Sequence, residues 1–129
     1  MPAYSLFLCA AALAAPGAIA FPDGEPKLAV MLAPNTVEFA ISAANVDFLG
    51  IVIGSLDGNL VHYFAGLPPL LDNHVILTFG LGGPDGMVAK LPESLFPAGI
   101  PIYAQGVVLD AAGITSSNVA SFVLDVTVP

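Results

Sequence analysis

After Phe21 the chain is divided into short apolar runs, and each run is bounded by proline, glycine, asparagine or aspartate. No run is long enough, or periodic enough at about 3.6 residues, to predict a helix. Residues 37–44 alternate with a period of two instead, so that Val37, Phe39 and Ile41 would face a core while the residues between them face solvent. This alternation predicts that the chain folds mainly into β-strands.

The apolar runs predict about eight short strands, spaced roughly 8 to 15 residues apart, and this spacing is typical of two packed antiparallel sheets. Asp57-Gly58 accepts the positive φ angles of a type I′ turn, which predicts a hairpin between the two runs that flank it. The expected fold class is all-β: a small antiparallel β-sandwich of about seven or eight strands, immunoglobulin-like or fibronectin-III-like. The predicted strands are 27–33, 37–44, 49–56, 59–65, 74–81, 87–91, 100–110 and 119–128.

Residues 1–20 carry no charged side chain and have the organisation of a secretory signal peptide. An apolar stretch over 6–13 is followed by a Pro-Gly break at 16–17 and by a small-x-small cleavage site at 18–20. No basic residue precedes the stretch, so either the free amino terminus supplies the positive charge or the true start codon lies upstream. A membrane anchor would need about 20 uninterrupted apolar residues. We therefore predict a signal peptide, with a signal helix, over 1–20 and a single domain over 21–129.

The charge of the chain excludes several classes of partner. Ten acidic residues against two basic ones give a formal net charge of -8, and so few cations cannot neutralise a row of phosphates. Nucleic acid and anionic membrane surfaces are not expected as partners. Cys9 lies in the predicted leader, so the domain over 21–129 would hold no disulfide and no thiolate metal site. The expected location is secreted, meaning extracellular, at the cell surface or periplasmic, with no membrane association after cleavage.

Histidines and aspartates are the candidate metal ligands. His62 and His74 would need Asp72 as a third ligand, and neither histidine has a second ligand two residues along its strand. We interpret both as ordinary strand or edge histidines. Aspartate precedes glycine at positions 23, 57 and 85, and each pair is typical of a turn rather than of a D-x-D-x-D-G calcium loop. No cofactor and no metal are expected, and a weak calcium site shared between loops stays open as an alternative.

Catalytic groups are sparse. Ser55 lies in Gly-Ser-Leu-Asp-Gly, which lacks the G-x-S-x-G spacing of a nucleophile elbow. Lys90 and Ser94 are separated by Pro92 and cannot share a helical face as a dyad. Carboxylates that converge in space could still form a glycosidase pair, although each is also typical of a solvated strand or loop position. The carboxylates concerned are those of Glu38, Asp47, Glu93 and Asp125. We expect no enzymatic activity.

The densest polar signal lies in residues 103–110, within an otherwise apolar stretch. On a strand, Tyr103 and Gln105 would lie on one face, and the other face would take Ile102, Ala104 and Val108. A binding role would use the tyrosine ring as a sugar platform and the amide as its hydrogen-bonding partner. The preferred interpretation is structural, with Gln105 and Asn118 bonded to backbone groups of turns inside the fold.

The same segment carries a resemblance to a known module. Its motifs are Leu91-Pro92-Glu93-Ser94-Leu95-Phe96, then Gly99-Ile100-Pro101-Ile102-Tyr103-Ala104-Gln105-Gly106, then Val108-Leu109-Asp110 and Ser117-Asn118. From Gly86 onward, about a third of the chain resembles the C-terminal half of a module that recurs in exported proteins of planctomycetes and similar bacteria. The resemblance implies a small secreted β-sandwich without enzyme activity. It carries over Tyr103, Gln105, Asp110, Ser117 and Asn118 as motif positions of structural role.

These observations lead to two functional hypotheses. Both faces of 51–53 and 75–77 are apolar, which is typical of central strands or of a face hidden in an assembly. We expect an exported, non-enzymatic β-sandwich domain with a structural, assembly or adhesion role, which associates with itself or with a protein or cell-surface partner. The alternative is a carbohydrate-binding or calcium-assisted binding domain that uses loop carboxylates with Tyr63 or Tyr103. The absence of tryptophan weakens it, because the largest aromatic surface stacks best on sugars.

Overall fold

The structure, a computed structural model, describes residues 26–44 and 47–125. These residues form nine strands in antiparallel pairs and one turn of 3-10 helix, Glu93–Leu95, which confirms the predicted all-β class. Nowhere in these two ranges is there a helix that could cross a membrane. The predicted signal peptide lies outside the described residues. The strands are β1 (Lys27–Ala33), β2 (Thr36–Ser42), β3 (Phe48–Ser55), β4 (Leu60–Val61), β5 (Leu70–Leu71), β6 (Val75–Gly82), β7 (Met87–Pro92), β8 (Pro101–Asp110) and β9 (Gly113–Val123).

The nine strands form three sheets. A three-stranded sheet has the order β1-β2-β7, and a four-stranded sheet has the order β6-β3-β8-β9. β4 and β5 form a two-stranded sheet of their own, within the connection from β3 to β6. β3 and β8 are therefore the central strands of the four-stranded sheet, and β6 and β9 are its edges.

A hydrophobic core lies between the two larger sheets, because buried residues of both belong to the same cluster. As the alternation predicts, Val37, Phe39 and Ile41 of β2 are fully buried there. Phe39 packs against the rings of Phe96 and Phe122, with centroids 6.2 and 6.0 Å away, so that rings from both layers meet. Each such ring pair stabilises the fold by about 0.5–1.5 kcal/mol beyond the contribution of the apolar area that it buries. We call the opposite, outward face of the four-stranded sheet the outer face.

Most predicted strand bounds are confirmed. The predicted strand 27–33 coincides with β1, and the bounds of β2, β3, β6, β7 and β8 are correct to within two residues. Both predicted bounds of the last strand, 119–128, are wrong, because β9 extends from Gly113 to Val123 and residues 124–125 are not in a strand. Ala111 and Ala112 form a tight turn that pairs Asp110 with Gly113, so the chain re-enters the sheet at once.

The predicted hairpin at Asp57-Gly58 is wrong. β3 pairs with β6 and β8, while β4, all that remains of the predicted strand 59–65, pairs with β5. Side chains bend the chain out of the sheet after β3. The Ser55 hydroxyl accepts from the Asp57 N–H at 2.9 Å and donates to the Asp72 carbonyl at 2.6 Å, and the Asp57 carboxylate accepts from the Asn59 N–H. A strand that is apolar on both faces is also better buried between two long partners than in an isolated hairpin.

Candidate functional site

β8 separates its side chains between the core and the outer face as the sequence predicts. Ile102, Ala104 and Val108 belong to the core between the sheets. Tyr103 and Val107 belong to a second apolar cluster on the outer face, together with the fully buried Leu71 of β5. The β4–β5 segment therefore lies over part of the outer face, and the polar motif positions are arranged around this contact.

Gln105 connects the outer face to the segment that covers it. Its side chain is 1% exposed. The Oε1 atom accepts from the Leu71 N–H at 3.1 Å, and the Nε2 atom donates to the carbonyls of Pro69 and Ser117 at 3.1 and 3.3 Å. The amide thus bonds to backbone groups of two different segments and connects β5 to the sheet.

Ser117 and Asn118 form a bulge in β9. The register between β8 and β9 shifts here, so that both residues lie opposite Gly106. The buried Ser117 hydroxyl accepts from the Gly106 N–H at 2.7 Å and donates to the Asn118 carbonyl at 2.8 Å. A bulge leaves ladder groups unpaired, and the serine hydroxyl replaces the partner that Gly106 would otherwise lack.

The bulge also directs Asn118 toward the other sheet. Its Oδ1 atom accepts from the Leu28 N–H at 3.0 Å, and its Nδ2 atom donates to the Leu28 carbonyl at 3.1 Å. Leu28 lies in β1, the edge of the three-stranded sheet, and Asn118 lies in β9, an edge of the four-stranded sheet. The amide behaves as a short extra strand partner that joins the two edges.

The two remaining motif positions, Asp110 and Tyr103, each contact a nearby segment of the chain. The Asp110 carboxylate accepts from the Ala112 N–H at 2.8 Å in the turn between β8 and β9. The Tyr103 ring packs against Gly58, where a Cβ atom would lie only 2.8 Å from Cε1 of the ring. One side of the ring is therefore covered by the chain itself, which reduces the area that a sugar could stack on.

The histidines do not assemble a ligand set. The His74 ring meets the Tyr63 ring edge to face at 5.4 Å, and its Nδ1 atom lies 2.6 Å from the Leu71 carbonyl oxygen. A carbonyl oxygen only accepts, so Nδ1 carries a proton in this geometry. His62 lies on the exposed side of the same segment. Within residues 26–44 and 47–125 there is no group of three or more histidine, cysteine, aspartate or glutamate side chains that could hold a metal ion.

The structure brings together two of the four carboxylates considered for a catalytic pair. Glu93 and Asp125 line an open depression of about 480 Å³ at the 3-10 turn, with Asn35 and Ser94 also in its lining. Glu38 lies on the middle strand of the three-stranded sheet, opposite Lys90 of β7.

The outer face continues beyond the β4–β5 segment as an apolar surface. Cross-strand pairing places its residues side by side: Leu49 opposite Leu81 and Leu109, Ile51 opposite Phe79, and Leu109 opposite Ile114. Leu81 is 84% exposed and Phe79 is 70% exposed, whereas Leu49 and Ile51 on the central strand are partly buried. We call these six residues the outer apolar surface. None of them is charged. The sequence pattern indicated only that 51–53 and 75–77 are apolar on both faces, and it did not indicate that Phe79 and Leu81 are exposed.

Comparison of the chain with family models, with curated proteins and with solved structures finds no match. The resemblance of the segment from Gly86 to Asn118 to the exported bacterial module therefore stays a prediction. What the geometry provides on its own is a set of motif side chains bonded to backbone groups, beside an apolar surface on which Phe79 and Leu81 are largely exposed.

Proposed function

We propose that this chain is an exported, non-enzymatic β-sandwich domain that acts in assembly or adhesion through the outer apolar surface. The observation that carries the proposal is the exposure of Phe79 and Leu81 on a sheet face without charged side chains, in a chain of net charge -8. Contiguous apolar patches of this kind mark interaction surfaces on soluble proteins.

The motif side chains support a structural role rather than a chemical one. Gln105, Ser117 and Asn118 each use their polar atoms on backbone groups of the chain. Groups that act on a substrate instead have polar atoms directed into a pocket. These three residues therefore serve to hold the outer face and the two sheets in place, so that the apolar surface is presented on a rigid support.

The strand order favours the fibronectin-III-like form of the sandwich. In the constant-type immunoglobulin arrangement the fourth strand lies in the same sheet as the first, second and fifth strands. Here the strand in that place, β6, lies beside β3 in the four-stranded sheet. The sheets with the orders β1-β2-β7 and β6-β3-β8-β9 then form the two layers, and β4–β5 is an insertion between two of their strands.

Export is supported by the sequence of the leader and by the composition of the remainder. The apolar run, the Pro-Gly break and the small-x-small site over 1–20 are typical of a secretory signal. The residues after position 20 contain no cysteine, and the few charges are nearly all acidic. We place the mature domain outside the cytoplasm, where a neutral apolar surface meets a protein or a cell surface.

The proposal is tested by adding a charge to the outer apolar surface. Phe79→Lys places an ammonium group on it, and desolvation of that charge on contact would abolish association. Met31→Lys is the matched control, because Met31 is 62% exposed on β1 of the other sheet, opposite Glu38. We expect the native chain and Met31→Lys to associate in light scattering over a concentration series, and Phe79→Lys to remain monomeric.

Adhesion is tested in parallel by binding of the native chain and the two variants to cell-surface proteins and to a glycan array with and without calcium. Loss of protein binding in Phe79→Lys alone would support the proposal. Glycan binding that needs calcium and survives Phe79→Lys would overturn it in favour of the carbohydrate-binding alternative.

A further inference from the structure

The two larger sheets have four edge strands, and three of them carry features that hinder pairing with another chain. β1 begins at Lys27 and is bonded to Asn118 at Leu28. β7 contains a lysine and ends at Pro92. β9 is interrupted by the bulge at 117–118. Charges, prolines and bulges of this kind protect sheet edges from strand addition.

The fourth edge, β6, lacks such protection over most of its length. Its sequence, Val-Ile-Leu-Thr-Phe-Gly-Leu-Gly, contains no charged residue and no proline. A register shift against β3 makes Leu77 the extra residue of a bulge near its start, because Ile53 pairs with Ile76 and Val52 with Thr78. The five residues from Thr78 to Gly82 then form a regular strand beside β3. Among the described residues no strand pairs with its other side, so its outward backbone groups are open to a further strand.

The exposure of the outer apolar surface rises toward this edge. Leu49 and Ile51 on β3 are partly buried because they have a neighbouring strand on each side. Leu81 and Phe79, their partners on β6, are the most exposed large side chains of the surface because they have a neighbour on one side only. A further strand placed beside β6 would supply the neighbour that Phe79 and Leu81 lack on their open side.

The stretch is complementary to itself about Gly80. When two copies lie antiparallel with Gly80 opposite Gly80, Phe79 of each copy lies opposite Leu81 of the other, on the same face of the sheet. Apolar and aromatic cross-strand pairs contribute about 0.2–1 kcal/mol each. No charge is buried in this arrangement. Glycine at the centre also leaves the symmetry axis without side chains that could clash.

We propose that a second copy of this chain pairs with β6 in this way, so that two four-stranded sheets become one continuous eight-stranded sheet. The inference rests on the proposed function, since it names the partner that the outer apolar surface takes. Five paired residues extend over only about 17 Å. This is small against the roughly 800 Å² per partner of a standard interface, so the dimer is weak and depends on concentration. Its joined apolar surface is twice as wide as that of one copy.

A cysteine at the symmetry axis tests the arrangement. Residue 80 has room for the Cβ of Gly80→Cys, because the nearest atom to an added Cβ is Cε of Met87 at 3.6 Å, an ordinary contact. Directly opposed residues of an antiparallel pair have Cα atoms about 4.5–5.5 Å apart, which is within the range of a disulfide. Cys9→Ser in the full chain makes residue 80 the only thiol. Gly83→Cys is the matched control: no atom lies within 4 Å of its added Cβ.

In the proposed pairing the two copies of residue 83 lie about 20 Å apart, which is too far for a disulfide. We expect mild oxidation to convert Gly80→Cys, but not Gly83→Cys, into a covalent dimer at concentrations where the native chain associates. Association of the native chain with equal and low cross-linking of both variants would overturn the pairing and leave the proposed function standing. A native chain that is monomeric at every concentration would also overturn the pairing. The proposed function would be overturned as well only if that monomer binds no cell-surface protein through the outer apolar surface.

Hydrogen exchange of the native chain provides a readout without a substitution. Amide protons of 78–82 that point away from β3 should exchange more slowly as the concentration rises, while those of β7 keep their rates. Equal rates at all concentrations would contradict the pairing.

Discussion

Asn118 of β9 binds both backbone groups of Leu28 in β1, accepting from its N–H at 3.0 Å and donating to its carbonyl at 3.1 Å. These residues are 90 positions apart in the chain and lie on the edges of different sheets. One side-chain amide therefore joins the two layers by hydrogen bonds. It can bond to β1 because the bulge at 117–118 directs it away from the pairing between β8 and β9.

Replacing this amide should weaken the contact between the sheets. Asn118→Ala removes two hydrogen bonds, and we expect the free energy of unfolding to fall by about 1–2 kcal/mol in urea denaturation. Asn59→Ala is the matched control, because it removes the same amide from an exposed loop position, and we expect it to change stability by less than about 0.5 kcal/mol. Equal losses in the two variants would show that the bonds to Leu28 contribute nothing.

A charge at Gln105 should make stability depend on pH. In Gln105→Glu the oxygen facing the Leu71 N–H is kept, but the second oxygen replaces a donor that faces two carbonyl oxygens. Burial and those carbonyls raise the pKa of the carboxyl in the folded state above the value near 4.3 of an unfolded glutamate. The folded state then binds the proton more tightly, so the stability of the variant falls as pH rises through the window between these two pKa values.

We expect Gln105→Glu to lose about 3 kcal/mol at neutral pH and to recover part of it as the carboxyl is protonated in mild acid. The measurement is urea denaturation at several pH values. Gln105→Leu leaves the Leu71 N–H without its side-chain partner. Its free energy of unfolding should fall by about 1–3 kcal/mol, and this loss should be the same at each pH. If the loss of stability in Gln105→Glu were also independent of pH, the carboxylate would have to be in contact with solvent.

Two adjacent glycines should respond in opposite ways to the same substitution. An added Cβ at Gly82 would lie 2.1 Å from Cζ of Phe48, a ring buried in the core, whereas an added Cβ at Gly83 meets no atom within 4 Å. Gly82→Ala should destabilise the fold by about 1–3 kcal/mol because the ring has to move. Gly83→Ala should be neutral or stabilise it by up to about 1 kcal/mol through the unfolded state. Thermal unfolding of both variants checks this, and a harmless Gly82→Ala would contradict the packing of Phe48.

Salt should strengthen self-association. Each copy carries a net charge of -8, while the outer apolar surface itself has no charge, so long-range repulsion opposes a contact that contains no ion pair. Raising the ionic strength from about 0.01 to 0.15 M shortens the screening length from about 30 to 8 Å and reduces that repulsion. Sedimentation equilibrium should show a tighter dimer at the higher salt. A dimer that dissociates with salt would point to ion pairs at the contact instead.

The strands were predictable where periodicity and punctuation agree. Val37, Phe39 and Ile41 alternate between polar or small residues and are buried as predicted, and the division of β8 between Ile102 on the core side and Tyr103 on the outer side is also correct. These features depend on side chains that alternate along one strand, and such alternation is visible in the sequence.

Partners of strands were not predictable in the same way. Asp57-Gly58 has the composition of a hairpin turn, yet Ser55 and Asp57 use their side chains to bend the chain away from β3. The roles of Gln105 and Asn118 toward Leu71 and Leu28 were visible only as an expectation that they bond backbone groups. The backbone groups to which these two amides bond lie 34 positions from Gln105 and 90 positions from Asn118 in the chain. Such distant partners are set by the tertiary structure.

The sequence by itself determined that residues 26–44 and 47–125 fold into β-strands, where most of those strands begin and end, and which side chains face the core, because these properties follow from local periodicity and turn residues. The tertiary structure decided the order of strands, the bulge that sends Asn118 across to β1, and the position of β6 as an edge that leaves Phe79 and Leu81 exposed. The physical reason is that the exposed fraction of a side chain is determined by the residues that lie next to it in the folded protein. A strand that is apolar on both faces has the same sequence pattern at the centre of a sheet as at its edge. Only the packing of all the strands determines which of these two positions the strand occupies.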